Sequence, residues 1–152
     1  MSDHRIERAT IVDAELVEAM GHLVSQLSSS AAIPTVDDLR AIVDSSCTTL
    51  LLARDDGRIV GSLTLAVFRI PTGVRAWIED VVVDPTQRGR GLGEALSREA
   101  IHVARMKGAR TIELTSRPTR EAANRLYVRL GFRPRETNVY RYSDAVAEGG
   151  DT

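Results

Sequence analysis

The run Arg88-Gly89-Arg90-Gly91-Leu92-Gly93-Glu94 alternates glycines with larger residues, between a stretch that reads as a strand and one that reads as a helix. Glycine has no Cβ to obstruct a ligand, and successive backbone N–H groups in such a loop can point the same way. With the positive end of a helix dipole and Arg88 and Arg90 beside them, those N–H groups suit a phosphate or diphosphate; the bland alternative is a solvated turn with no ligand. The spacing departs from two familiar phosphate loops. Gly89, Gly91 and Gly93 are evenly spaced and lie past mid-chain, unlike the dinucleotide fingerprint, and no Gly-Lys-Ser/Thr closes the loop as in nucleotide triphosphatases. Upstream, Glu79 and Asp80 lie inside the apolar run Trp77 to Val83. A carboxylate there is costly unless it is paired or lines a cavity. Strand alternation places Glu79 with Val81 and Val83 on one face, and Asp80 with Ile78 and Val82 on the other. Either the acids have a chemical purpose or they pair with arginines such as Arg69, Arg75 or Arg117.

These residues need elements to hold them. The valines before Asp84-Pro85 favour a strand buried on both faces, and that dipeptide stops it. Leu92, Ala95, Leu96, Ala100, Val103 and Ala104 recur at helical spacing, predicting a helix from Gly91 to about Lys107 with Gly108 as its C-terminal cap. Arg110 to Thr115 then returns as a strand, parallel to the first because a helix intervenes. Earlier, His4 to Ala9 reads as a short strand. Asp13 caps a helix carrying Leu16, Met20, Leu23 and Leu27, and Thr35 with Asp38 starts a second helix through Leu39, Ile42 and Val43. The serine run Ser28 to Ser30 between them is a linker or a lip over a pocket. Thr48 to Ala53, the turn Asp55-Asp56-Gly57-Arg58, Ile59 to Phe68, the turn Pro71-Thr72-Gly73 and Val74 to Val83 predict a three-stranded meander. Pro118 and Thr119 precede a helix with Ala122, Ala123, Leu126, Tyr127 and Leu130 that stops at Gly131. Phe132 onward, with Val139, Tyr140 and Tyr142, reads as a final strand or strand pair, and Ser143 to Thr152 as a frayed tail.

A chain of 152 residues with 43% hydrophobic residues suits one domain, 1–152, with a real core. A net charge of −1 gives no general basis for binding nucleic acid or an acidic membrane. No apolar run is long enough to span a bilayer, and the charged start Met1-Ser2-Asp3-His4-Arg5 lacks a signal peptide's apolar region. A soluble cytoplasmic protein is expected. Cys47 is alone, so no internal disulfide forms, and without a base signature nearby it reads as a buried structural thiol. His4, His22 and His102 lack metal-ligand spacing, so no metal is expected.

Arg88 to Gly93 reads as Arg/Gln, any two residues, Gly, any residue, Gly/Ala. After a valine strand and before a helix, that resembles the acetyl-CoA diphosphate loop of the GNAT N-acetyltransferase superfamily. Ile78 to Val83 resembles the corresponding strand of members acting on small amines, among them glucosamine-6-phosphate and polyamine acetyltransferases. Ala122 to Phe132 resembles the family's helix bearing Ala, any two residues, Leu/Phe-Tyr and then Gly-Phe. Trp77 to Phe132 carries the resemblance, and the flanking elements extend it from about residue 4 to 142. It implies an α/β (α+β) fold: a mixed, mostly antiparallel sheet of about six to seven strands flanked by about four helices.

For function the resemblance implies an acetyl-CoA-dependent N-acetyltransferase that moves an acetyl group to a small primary amine by direct attack, without a covalent acyl-enzyme. Glu79 is the implied general base and Asp80 a second carboxylate for the acceptor. Tyr127 is the implied proton donor to the leaving thiolate; otherwise it is a core tyrosine. Val81, Val82 and Val83 lie along the pantetheine, and Arg88, Gly89, Arg90, Gly91, Leu92, Gly93 and Glu94 around the diphosphate. Asn124 is one turn before Tyr127 and able to reach the coenzyme's arm. Arg120, where many members have asparagine, leaves open which of the two touches the coenzyme. A homodimer is a family-level expectation. Two other functions stay open: acetylation of a protein N-terminus or lysine, and acyl-CoA binding without turnover.

Overall fold

Thr48-Thr49-Leu50-Leu51-Leu52-Ala53 is the stretch of sheet most deeply covered from both sides, and the first compact unit is built around it. The computed structural model describes residues 3–144. Contacts divide the chain into two units, one ending at Thr115 and the other beginning at Ser116.

In the first unit, β1 (His4–Arg8), α1 (Ala14–Leu27), α2 (Val36–Val43), β2 (Thr48–Asp55), β3 (Arg58–Ile70) and β4 (Gly73–Val83) follow in order. A 3-10 turn (Pro85–Gln87), α3 (Leu92–Met106) and β5 (Thr111–Glu113) complete it. Among the described residues the sheet has the order β1-β2-β3-β4-β5. The pairs β1/β2, β2/β3 and β3/β4 are antiparallel and β4/β5 is parallel, as the intervening helix requires. The β2–β3 hairpin turns on Asp56 (φ 49°) and Gly57 (φ 83°), both left-handed, in the Asp-Gly chemistry that matches strand twist.

Alternation along β2 feeds two cores. Leu50 and Leu52 join Leu16, Met20 and Leu23 of α1, Leu39 of α2 and Val82 of β4 in one cluster. On the other face, Gly61 of β3 lies against Ala53 and Leu96 of α3, where Leu96, Ala100 and Ala104 are fully buried. A leucine buried this completely contributes about 1.5–3 kcal/mol relative to exposure. Asp13 accepts from Leu16 N at 2.9 Å to start α1. Thr35 and Asp38 cap α2 reciprocally, as their three-residue spacing predicts.

The second unit contains α4 (Glu121–Arg129). It ends in the six-residue closure that a left-handed glycine permits: Gly131 (φ 102°) lets Phe132 N donate to Tyr127 O at 2.9 Å. The Phe132 ring packs edge-on against that of Tyr127, with centroids 5.9 Å apart.

Three expectations are corrected. The final strand or strand pair after Phe132 is absent among the described residues, so the sheet has five strands rather than about six to seven. Residues 133–144 carry Pro134, which has no N–H to donate, and Val139, Tyr140 and Tyr142 are 73%, 87% and 91% exposed. No face is buried there to offset the entropy of ordering a strand. β4 is also not buried on both faces, because Glu79 and Asp80 are exposed. Cys47, expected to be buried, is exposed. It sits in the bend before β2, where its carbonyl accepts from Val67 N at 2.8 Å, its N–H donates to Ser45 Oγ at 3.1 Å and its thiol lies 3.9 Å from Ser46 Oγ. The frayed tail expected from Ser143 lies outside the described residues from residue 145 onward.

Candidate functional site

The decisive departure from regular alternation lies in β4. Ser62 pairs with Val82, but Thr64 pairs with Glu79, so two residues of β4 stand opposite Leu63 alone. This is a bulge, and Asp80 sits in it with φ 51°, a left-handed conformation that costs a non-glycine residue energy. The expected grouping of Glu79 with Val81 and Val83 is therefore corrected: the extra residue resets the alternation, so that Glu79, opposite Thr64, shares a face with Val82, opposite Ser62, and both acids are exposed. Neither forms a side-chain hydrogen bond or ion pair among the described residues, so Arg69 and Arg75 do not neutralise them. Partial desolvation, followed by the negative charge of Asp80, holds the Glu79 carboxyl above its ordinary range.

Downstream the chain enters the glycine loop. Asp84 N donates to Val60 O at 2.7 Å, holding the strand end to β3. The Asp84 carboxylate accepts from Thr86 N at 3.0 Å and Thr86 Oγ1 at 2.8 Å, capping the 3-10 turn at Pro85. Those bonds, with His22 2.9 Å away on α1, draw its pKa down to about 2. Gly89 (φ 80°) and Gly91 (φ 79°) are left-handed, and a Cβ built on either meets nothing within 4 Å. The open space at both glycines fits a ligand that approaches the backbone closely. Gly91 is the N-cap of α3 and offers no side chain to the helix end, so the N–H groups of Leu92, Gly93 and Glu94 have no intrahelical acceptor. Leu92 is buried beneath, fixing the helix start, while Arg88 is exposed. Glu94 pairs with Arg98 at 3.0 Å. Val81 and Val83 are half-buried and Val82 buried on the strand leading in.

Arg90 turns back toward the sheet. Its Nη1 donates to Asp55 Oδ2 at 3.1 Å and to Gln87 Oε1. Asp55 and Gln87 are buried, at 5% and 8% exposure. Asp55, His22 and Gln87 had no assigned role at the level of sequence. Asp55 read as an ordinary turn residue, and His22 only as a histidine without metal-ligand spacing; no local pattern reveals partners 35 and 62 positions away.

In the second unit, Tyr127 is 7% exposed, and burial raises its phenol pKa, partly opposed by the positive charge of Arg120. Asn124 is engaged, its Nδ2 donating to Arg117 O at 3.0 Å across the turn that precedes α4. Arg120 is the N-cap of α4 and makes no side-chain cap bond. Cys47 lies where β3 carries Val67, and the glycine loop follows the other end, where Gly61 pairs with Val83. Six residues of strand between those points span about 20 Å, so the thiol is no part of the loop site. Among the described residues no group of three or more His, Cys, Asp or Glu could hold a metal ion, and no helix is long and apolar enough to cross a membrane.

Comparison with known proteins identifies the family. The chain is 36% identical over 127 residues to glucosamine 6-phosphate N-acetyltransferase of Trypanosoma brucei brucei, covering 81% of this chain and 84% of that protein. An acetyltransferase crystal structure from Trypanosoma brucei superposes with a TM-score of 0.77 at 27% identity, covering 93% of this chain and all of the other. A putative acetyltransferase from Agrobacterium tumefaciens, at 23% identity, shares the fold with a TM-score of 0.81 over 91% of this chain and 99% of its own. The acetyltransferase (GNAT) family pattern matches residues 17–132, from α1 through the bulge and the glycine loop to Phe132. The chain thus belongs to the GNAT family and is an acetyl-CoA-dependent N-acetyltransferase.

Proposed function

We propose that the acceptor is a small molecule that presents a primary amine and arrives as a cation, and that it is acetylated by direct attack in a ternary complex. The observation that carries this reading is the pair of carboxylates, Glu79 and Asp80, exposed at the β4 bulge without ion-pair partners among the described residues. Two adjacent acids left uncompensated favour a positively charged ligand. An ammonium has no lone pair with which to attack, so a proton must leave first. Glu79, held above the usual carboxylate range, is suited to accept it directly or through water, and Asp80 to hold the cation.

Acetyl-CoA supplies the activated acyl group as a thioester. The residues present fit it: left-handed glycines with open space beside them, and unpaired N–H groups at a helix start. In this reading the peptide groups from Gly89 to Glu94 and the Arg88 guanidinium hold the diphosphate. The backbone of Val81 to Val83 aligns the pantetheine, and an N–H near Val83 takes the charge that develops on the carbonyl oxygen. Tyr127 donates a proton to the departing thiolate, and its neutral form is favoured by burial. Asn124 or Arg120 serves the coenzyme's arm. Both compact units serve one acetyltransferase domain, since the family match runs through the boundary between them.

Amino sugars lead the acceptor candidates because the Trypanosoma brucei brucei relative bears that activity in its name. The test is thiol release from acetyl-CoA against amino sugars, their phosphates, polyamines, other small amines and peptides. Turnover on a small amine is expected. Turnover on peptides alone would replace this reading with protein acetylation, and coenzyme binding without turnover on any panel would replace it with a regulatory module.

A further inference from the structure

Asp55 carries a charge where turn chemistry does not require one. It closes the β2–β3 hairpin opposite Arg58, a position at which aspartate ordinarily faces water, yet it is only 5% exposed. A carboxylate so placed is costly unless compensated. Its compensation comes from one side: Arg90 Nη1 lies 3.1 Å from Oδ2, whereas Oδ1, with His4 Nε2 of the neighbouring strand 3.3 Å away, has no hydrogen-bond partner among the described residues. The Arg90 contact reaches from the sheet into the middle of the glycine loop. Gln87, itself buried, accepts from the same Arg90 nitrogen and joins the 3-10 turn to this contact.

Arg90 stands between Gly89 and Gly91, the two residues whose left-handed backbone shapes the loop. Glycine permits that shape but does not enforce it, because it populates many others at little cost. A loop that binds through its peptide groups must be held in place before the ligand arrives, or part of the binding energy is spent on ordering it. The side chain between the glycines supplies that restraint by being tied to a buried anion.

We propose that Asp55 is a positioning residue for the coenzyme: through Arg90 it fixes the peptide groups of Gly89 to Leu92 in the arrangement that receives the diphosphate. Arg90 therefore acts as a brace for the loop, and its charge is spent on Asp55. This rests on the acetyl-CoA reading of the loop.

The test uses the full chain with Asp55→Asn, Arg90→Met, Arg90→Lys and the double variant Asp55→Asn/Arg90→Met. Loss of a charge-assisted hydrogen bond predicts about tenfold weaker CoA binding for each Asn or Met single variant, with KM for acetyl-CoA rising in parallel and kcat within about twofold of wild type. Because both singles remove one tie, the double variant is expected to bind no more weakly than Arg90→Met alone. Arg90→Lys, which keeps a cation facing Asp55, recovers most of the affinity. The double variant leaves no unpaired buried charge and so keeps the refuting outcome, unchanged binding, readable even if a single variant fails to fold.

An Arg90→Met protein that binds weakly while Asp55→Asn binds as wild type or tighter would overturn the brace, showing Arg90 to be a phosphate ligand. Unchanged binding in the double variant would overturn it too. Amide hydrogen exchange of the ligand-free proteins separates this inference from the coenzyme reading. Asp55→Asn is expected to speed exchange from Gly89 to Leu92 selectively, and equal exchange would refute the brace. Failure of the wild-type protein to bind CoA would refute the coenzyme reading instead.

Discussion

Replacing Gly91 with alanine isolates what a left-handed glycine contributes to this loop. Gly91 has φ 79° and ψ 12°, and a Cβ there meets nothing within 4 Å, so the substitution creates no clash in the ligand-free protein. The cost is then conformational alone, about 1–2 kcal/mol for an L-residue in the left-handed region. For a chain of this size that corresponds to a fall in Tm of about 2–8 °C. Gly57 provides the control, since it has φ 83°, equally open surroundings, and a place in the β2–β3 turn, outside the glycine loop itself. Gly91→Ala is expected to lose at most the stability that Gly57→Ala loses in urea or thermal unfolding. Only Gly91→Ala should weaken CoA, by up to about five- to thirtyfold, because whatever strain the free loop escapes by relaxing must be regained on binding. Calorimetric titration with CoA measures the second effect. Equal CoA affinity in the two variants would refute the claim that the backbone at Gly91 meets the ligand. A stability loss far above that of Gly57→Ala would refute the claim that the loop is unobstructed.

Tyr127→Phe is expected to lower kcat by about 100-fold while leaving CoA affinity near wild type, as single-turnover and binding measurements would separate; unchanged turnover removes the proton-donor role. Glu79→Gln should lower kcat/KM by a similar factor of about 100 and abolish an acidic limb in its pH profile. Because Glu79 is held above the ordinary carboxylate range, that limb should lie above pH about 4.3 in the wild-type protein. Asp84, held down to about 2, stabilises the folded chain above its unfolded pKa of about 3.9, and that stability is lost as pH falls through its folded value. Asp84→Asn should therefore cost about 1–2 kcal/mol near neutral pH and progressively less as pH falls toward and below about 2, read from urea midpoints across the range. Leu96→Ala, at a fully buried position between α3 and the sheet, should cost about 2–5 kcal/mol in the same assay.

The elements of the first unit were legible because their signals are local. Asp13 and the Thr35–Asp38 pair mark helix starts by their own hydrogen bonds, and Asp56-Gly57 marks a hairpin by the backbone it allows. The glycine loop was legible for the same reason, since the open backbone at Gly89 and Gly91 is a property of the residues themselves. The strand after Phe132 was overread. Val139, Tyr140 and Tyr142 have strand propensity, but propensity without a buried face does not order a strand.

Sequence by itself determined which residues could bind an anion, where helices begin and end, and that two adjacent acids lie before the loop. Only the tertiary structure decided which valine shares the face of Glu79, because the β4 bulge arises from pairing with β3 and shifts the alternation by one residue. Only it joined Asp55 to Arg90 and His22 to Asp84. Caps and turns are set by neighbours along the chain, whereas register and buried charge pairs are set by residues that folding brings together from distant positions.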